Sequence, residues 1–303
     1  QSHFNKICPE NVQSIAHRIK AEADVKTETE LGLAISLVMK KALAEPHYCE
    51  TYADLVYHLK SEMPEFPAED GGKPVTFKSA LLNVVQNEFE SMPTTLASTP
   101  ELQQYSGEEL AFQTNKLKGR VLANMRFIGN LFLRQLLTSK IISSIVQELM
   151  MCDSASAVPE EHVVECVVEL LGSIGYTLES MPAGKAALVQ VCGRLKDLKQ
   201  KKNKEGKAVY TKRIQFLIQD LLDARAAGWA MKVFKKTAKT KEEVRQEQER
   251  DLRSAEAGRE VSHAEIIVAG QRPSYLGANQ DAAAPQVAGG DWQEAAKSKK
   301  GRR

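Results

Sequence analysis

The apolar residues of this chain recur at intervals of three and four almost from end to end, and that spacing allows little except helices packed on helices. Val12, Ile15, Ala16 and Ile19 open the series. Leu31, Ile35, Val38 and Ala42 continue it behind a capping-box pattern, Thr27 to Glu30. Tyr52, Leu55, Val56 and Leu59 follow, then Phe77, Leu81 and Val84. A longer stripe behind Ser106 and Glu109, a second capping-box pattern, runs through Leu117, Val121, Met125, Ile128, Phe132 and Leu136. Further stripes begin at Ile142, Val163, Leu188 and Ile214. No run alternates in the manner of a strand, so the sequence predicts an all-α fold.

The helices group into antiparallel pairs starting near residues 12, 48, 108, 159 and 208. This irregular spacing brackets the roughly 40–47 residues of a HEAT-type repeat. Proline, glycine and Ser/Thr clusters mark loops over Met63 to Thr76 and Ser91 to Gly107. One helical hairpin cannot bury its own stripe, so the pairs must stack. Residues 8–230 therefore read as an α-solenoid of about five HEAT-like pairs. Residues 231–257 read as a charged helical extension and 258–303, rich in Ala, Gly and Gln, as a disordered tail.

Charge divides the chain unevenly. Residues 1–193 carry 16 basic and 24 acidic side chains, and residues 194–257 carry 18 and 10. A phosphate-bearing partner thus belongs toward the C-terminal third. From Arg194 to Arg213 there are nine basic and two acidic residues, with Lys199, Lys201, Lys202, Lys204 and Lys207 in a loop or frayed helix end. Lysines also suit a helix C-terminus through its dipole, but the excess here exceeds what capping needs. No aromatic interrupts the run from Lys199 to Lys207, which points to phosphate contact without base stacking.

Enzyme signatures are missing. The chain has no phosphate loop, GxGxxG, HExxH or GxSxG, and Gly71-Gly72-Lys73-Pro74 is only a fragment of the first. His162 and Cys166 have the i, i+4 spacing of two metal ligands, yet a closed site needs four, so a surface His beside a partly buried Cys is the expectation. Five scattered cysteines without a CxxC fit reduced thiols of the cytosol or nucleus. The N-terminus lacks the pattern of a signal peptide, and the most apolar stretch, around His162 to Leu178, is broken by Glu165 and Glu169. A soluble, non-enzymatic, cofactor-free protein is expected.

Four segments carry a resemblance: Ile35 to Leu59, Phe77 to Glu90, Asn124 to Leu137 and Thr211 to Trp229. With Glu45-Pro46, the RFIG.LF run of Arg126 to Phe132 and the QD.LD.R..GW run ending at Trp229, they stand in the order of the middle domain of eukaryotic translation initiation factor 4G, which the chain resembles. The resemblance implies a cytoplasmic scaffold that docks and stimulates the DEAD-box RNA helicase initiation factor 4A and contacts RNA. It also implies helicase contact through Leu81, Leu82 and Phe89. Attachment to the cap-binding factor 4E belongs to a segment N-terminal to the middle domain, outside this chain, and Tyr105 to Ala111 approximates that motif only by coincidence. Related middle domains serve nuclear cap binding and RNA decay, and a general HEAT-type scaffold would share the periodicity. On a helical wheel of about 100° per residue, Phe77, Leu81 and Val84 form one stripe. Leu82, Val85 and Phe89 form a second, which either meets a neighbouring repeat or stays open to a partner.

Overall fold

The computed structural model describes residues 4–23, 25–67, 74–93, 95–96, 102–154, 156–233, 245 and 265–276. Among these are nine α-helices: α1 (Val12–Glu22), α2 (Glu28–Ala44), α3 (Cys49–Glu62), α4 (Phe77–Glu90), α5 (Gly107–Leu133), α6 (Ser139–Leu149), α7 (Glu161–Glu179), α8 (Pro182–Gln200) and α9 (Lys212–Ala226). They form two layers. Helices α1, α3, α5, α7 and α9 pack each on the next, while α2 packs on α4 and α6 on α8. This is the stacking of helix pairs that the spacing predicts, with four pairs and a ninth helix. The charged extension expected over residues 231–257 lies, except for residues 231–233 and Arg245, outside the described residues.

One apolar core runs the length of the stack. Leu31, Tyr52, Leu55, Leu81, Ile128, Leu131, Ile142, Leu170, Ile174, Leu195 and Ile218 lie in the same buried cluster. Fully burying such side chains stabilises by about 1.5–3 kcal/mol each before entropy is counted. The capping box of α2 forms as expected, with Thr27 Oγ1 accepting from the Glu30 amide at 3.2 Å. The one expected at α5 does not, since Ser106 makes no side-chain cap. Gly107 there adopts φ +59°, a left-handed entry that the pattern did not anticipate. Instead α4 is boxed by Thr76 and Ser79.

Two expectations about the chain end need correction. Ala230–Val233 (β1) pairs antiparallel with Glu265–Val268 (β2), so the molecule contains a two-stranded ladder. The ladder starts where the helical body ends and leaves the helix pairing intact. Residues 265–276, expected to be disordered, are held by that ladder and by a 3-10 turn at Ser274–Leu276, with Leu276 buried. Residues 231–233 belong to this strand and not to a helix. Four-residue strands whose partners lie more than thirty positions apart leave no periodic signal.

Candidate interaction surfaces

Helix α4 sits between α2 and α5. Its two apolar stripes are both used: Phe77, Ala80, Leu81, Val85 and Phe89 are buried, while Leu82 and Val84 are half-buried. Leu81 is 1% exposed and Phe89 5%. The second stripe therefore meets neighbouring repeats over most of its length, because a helix flanked on two sides must be apolar on two faces. Of the three residues that the resemblance implies as contacts, Leu82 alone keeps appreciable surface. Exposed Asn83, Asn87 and Glu90 share the helix. Half-buried Glu88 receives Arg120 Nη2 of α5 at 2.6 Å. Beside α4, helix α2 exposes Leu33 and Leu37, which the wheel analysis of α4 alone did not single out.

The lysine cluster is an ordered hairpin. Helix α8 ends at Gln200, Lys202 and Ala208 form an antiparallel bridge, and the Asn203 amide donates to Lys207 O at 2.8 Å. Asn203 Oδ1 accepts from the amides of Glu205 and Lys207, each at 3.0 Å, and Gly206 takes φ +78° to close the turn. Lys199 and Lys201 point back into the domain: the first donates to Gln219 Oε1, the second to Ser156 O at 2.9 Å. Lys202, Lys204 and Lys207 project into solvent, Lys207 with Glu205 at 3.2 Å. The five lysines read as one cluster thus divide into two that hold the hairpin and three that face outward.

The pair His162 and Cys166 is not a metal centre, and among the described residues no cluster of potential ligands is large enough to be one. His162 is buried and not at the surface as expected. Its Nε2 lies 3.2 Å from Pro93 O and its Nδ1 3.3 Å from Glu160. The satisfied ring explains how a histidine enters the core at that position. Burial pushes the Cys166 thiol up to about 12, with Glu165 and Glu169 adding to the shift. Such a thiol is inert at neutral pH. Tyr105 to Ala111 straddles the α4–α5 loop and the first turn of α5. No helix among the described residues is long and apolar enough to cross a membrane.

The end of the domain is fixed by Trp229, which has a left-handed φ of 64°. Its Nε1 donates to Glu179 Oε2 at 2.7 Å, and Arg225 Nη2 donates to Glu179 Oε1 at 2.9 Å. The indole lies flush on Gly175, where any Cβ would collide with the ring. The GW ending that carries part of the resemblance is therefore a structural lock between α9 and α7.

A family model described as the MIF4G domain matches residues 1–227. Eukaryotic translation initiation factor 4G of Arabidopsis thaliana is 29% identical over 252 residues, 80% of this chain and 14% of that protein. Eukaryotic translation initiation factor 4 gamma 3 of Homo sapiens is 29% identical over 263 residues, 82% of this chain and 15% of its own length. The chain thus spans about one seventh of the curated relatives it matches. The crystal structure of the MIF4G domain of Trypanosoma cruzi translation initiation factor EIF4G5 aligns with 16% identity and a TM-score of 0.44 over 75% of this chain and 94% of that one. With three quarters of its length matched by the family model, this chain belongs to the MIF4G domain family.

Proposed function

We propose that this domain is a non-enzymatic translation initiation scaffold that docks a DEAD-box RNA helicase of the initiation factor 4A type and contacts RNA in the cytoplasm. The observation that carries the reading is family membership across residues 1–227. That the curated relatives named above are translation initiation factors favours initiation over nuclear cap binding or RNA decay. The docking edge is assigned to Leu82 on α4, with the exposed Leu33 and Leu37 of neighbouring α2. Leu81 and Phe89 act from behind it, fixing the position of α4. The outward lysines of the α8–α9 hairpin supply phosphate contact.

A two-lobed helicase cycles between open and closed arrangements of its lobes. A scaffold stimulates that cycle only by binding one arrangement better than the others. Turnover belongs to the helicase. The test is the helicase's RNA-dependent ATPase rate at saturating scaffold: a rise supports the reading, and an unchanged rate removes it. Attachment to cap-binding factor 4E is assigned to a segment outside this chain.

A further inference from the structure

A solenoid held by neighbour contacts has no tie along its length, yet one segment here touches several helices of a single layer. After β2, the Ala269 amide donates to Trp229 O at 3.0 Å. Gly270, at φ +77°, lies so close to α7 that a Cβ would stand 2.9 Å from the Ile174 backbone. Thr177 Oγ1 donates to Gly270 O at 2.6 Å. Five residues on, Tyr275 reaches α3, two helices along the layer from α7. Its ring packs against Tyr57 of α3, centroids 5.6 Å apart at 53°, and its hydroxyl donates to Asp54 Oδ1. Residues 269–276 form a strap from α9 and α7 to α3.

The receiving notch is already saturated. Arg134, just past α5, is 1% exposed. Its Nε and Nη2 donate to the Asp54 carboxylate at 2.5 and 2.9 Å, and Nη1 donates to Asn130 O and Oδ1 at 3.3 and 3.0 Å. Nη2 also faces Glu50 at 3.5 Å. A guanidinium has five N–H donors, and these acceptors engage all of them. Arg134 also lies beside the Tyr275 hydroxyl, so an anion placed here would have to compete with the Asp54 and Glu50 carboxylates for donors that they already hold.

We propose that Tyr275 is a latch opened by phosphorylation, which releases the strap from α3. In the step, Tyr275 Oη forms the new O–P bond to the γ-phosphorus of a nucleoside triphosphate. The bond from that phosphorus to the bridging oxygen breaks, the nucleoside diphosphate leaves, and the hydroxyl proton passes to the base of the kinase. Tyr275 then loses the proton it donates to Asp54 and gains a charge of about −1.5 to −2. Its side chain is accessible enough to be modified, since the residue is 53% exposed. The strap is also cheap to open: Leu276 is its buried apolar anchor, and weakly anchored segments detach locally without global unfolding. Release frees the α3 edge at Asp54 and Tyr57 and removes the tie between α3 and α7. The proposal does not depend on the helicase reading.

The test uses the full 303-residue chain with phosphotyrosine encoded at position 275, beside the unmodified chain and Tyr275→Phe. Amide hydrogen exchange is read at Ala269 and Leu276 and across α3, α5 and α7. Strap amides should exchange at least about tenfold faster in the phosphorylated chain, the equivalent of ~1.4 kcal/mol. Tyr275→Phe should change less, and the helices should keep their protection. Unchanged strap protection overturns the latch, and so does a loss spread through α3, α5 and α7, which would make Tyr275 a structural residue. In a second arm a broad-specificity tyrosine kinase and ATP act on the unmodified chain. Tyr275 should be modified, and buried Tyr52 and Tyr210 should not. Modification of exposed Tyr48 and Tyr176 with none at Tyr275 also overturns the proposal.

Discussion

Helix α4 turns most of its apolar residues into the space between α2 and α5, whereas the α8–α9 hairpin turns three of five lysines into solvent. Both regions stand out in the sequence, for opposite physical reasons. An apolar side chain announces that it will be covered by something, and within a stack of helices the nearest cover is the next repeat. A lysine announces that its ammonium will stay wet. The first signal predicts burial without naming the partner. The second predicts availability but cannot tell which ammonium groups fold back onto carbonyls and amides of the domain itself.

The sharpest way to break this contrast is at Phe89. If it belongs to the core, Phe89→Ala should destabilise by about 3–5 kcal/mol, read as a lower urea midpoint at unchanged slope. Alkylation of Cys166, whose thiol sits at about 12 in the buried state, gives an independent readout, since it should accelerate with unfolding. A loss below about 1 kcal/mol, in the range of ordinary surface substitutions, would restore Phe89 to the partner-facing role that the resemblance implies.

Leu82→Ala should behave differently. Removing a half-buried leucine costs about 1 kcal/mol, a fraction of full burial. Helicase binding should weaken by roughly tenfold if Leu82 lies within the interface, measured as Kd at fixed salt. Equal stability losses at Leu82 and Phe89, with no change in helicase affinity, would mean that α4 offers no docking edge.

The helices were legible because each carries its own stripe, and the α2 capping box because Thr27 and Glu30 have the right spacing. What escaped were features that depend on distant residues. Arg134 counts as polar in any periodicity, yet it is buried because Asp54, eighty positions earlier, neutralises it. The cap of α4 escaped because Ser79 replaces the Glu or Gln of the usual box. Strand β2 escaped because EIIV is too short to declare a period and its partner β1 lies across residues 234–264. On α4 the doubled stripe was visible, but its meaning depends on the position of α5, which the stripe does not encode.

The smallest effect, and the most discriminating one, is expected at the hairpin. Lys202, Lys204 and Lys207 face solvent, and if all three contact RNA as proposed, three phosphate contacts should set the salt dependence of binding to an unstructured strand. With a slope near −0.7 per contact for a single strand, log K against log salt should fall with slope about −2. Changing these three to Gln should flatten the slope toward zero and leave stability within about 0.5 kcal/mol. Lys199→Gln with Lys201→Gln provides the contrast. Those ammonium groups are committed to Gln219 and Ser156, so the pair should lose a few tenths of a kcal/mol to about 1 kcal/mol of stability, as for modest hydrogen bonds, and keep the slope. Titrations at two salt concentrations separate the cases. If both variants flatten the slope equally, Lys199 and Lys201 leave their intramolecular partners to bind RNA. If neither does, the hairpin is a solvated turn and the phosphate contacts lie elsewhere on the domain.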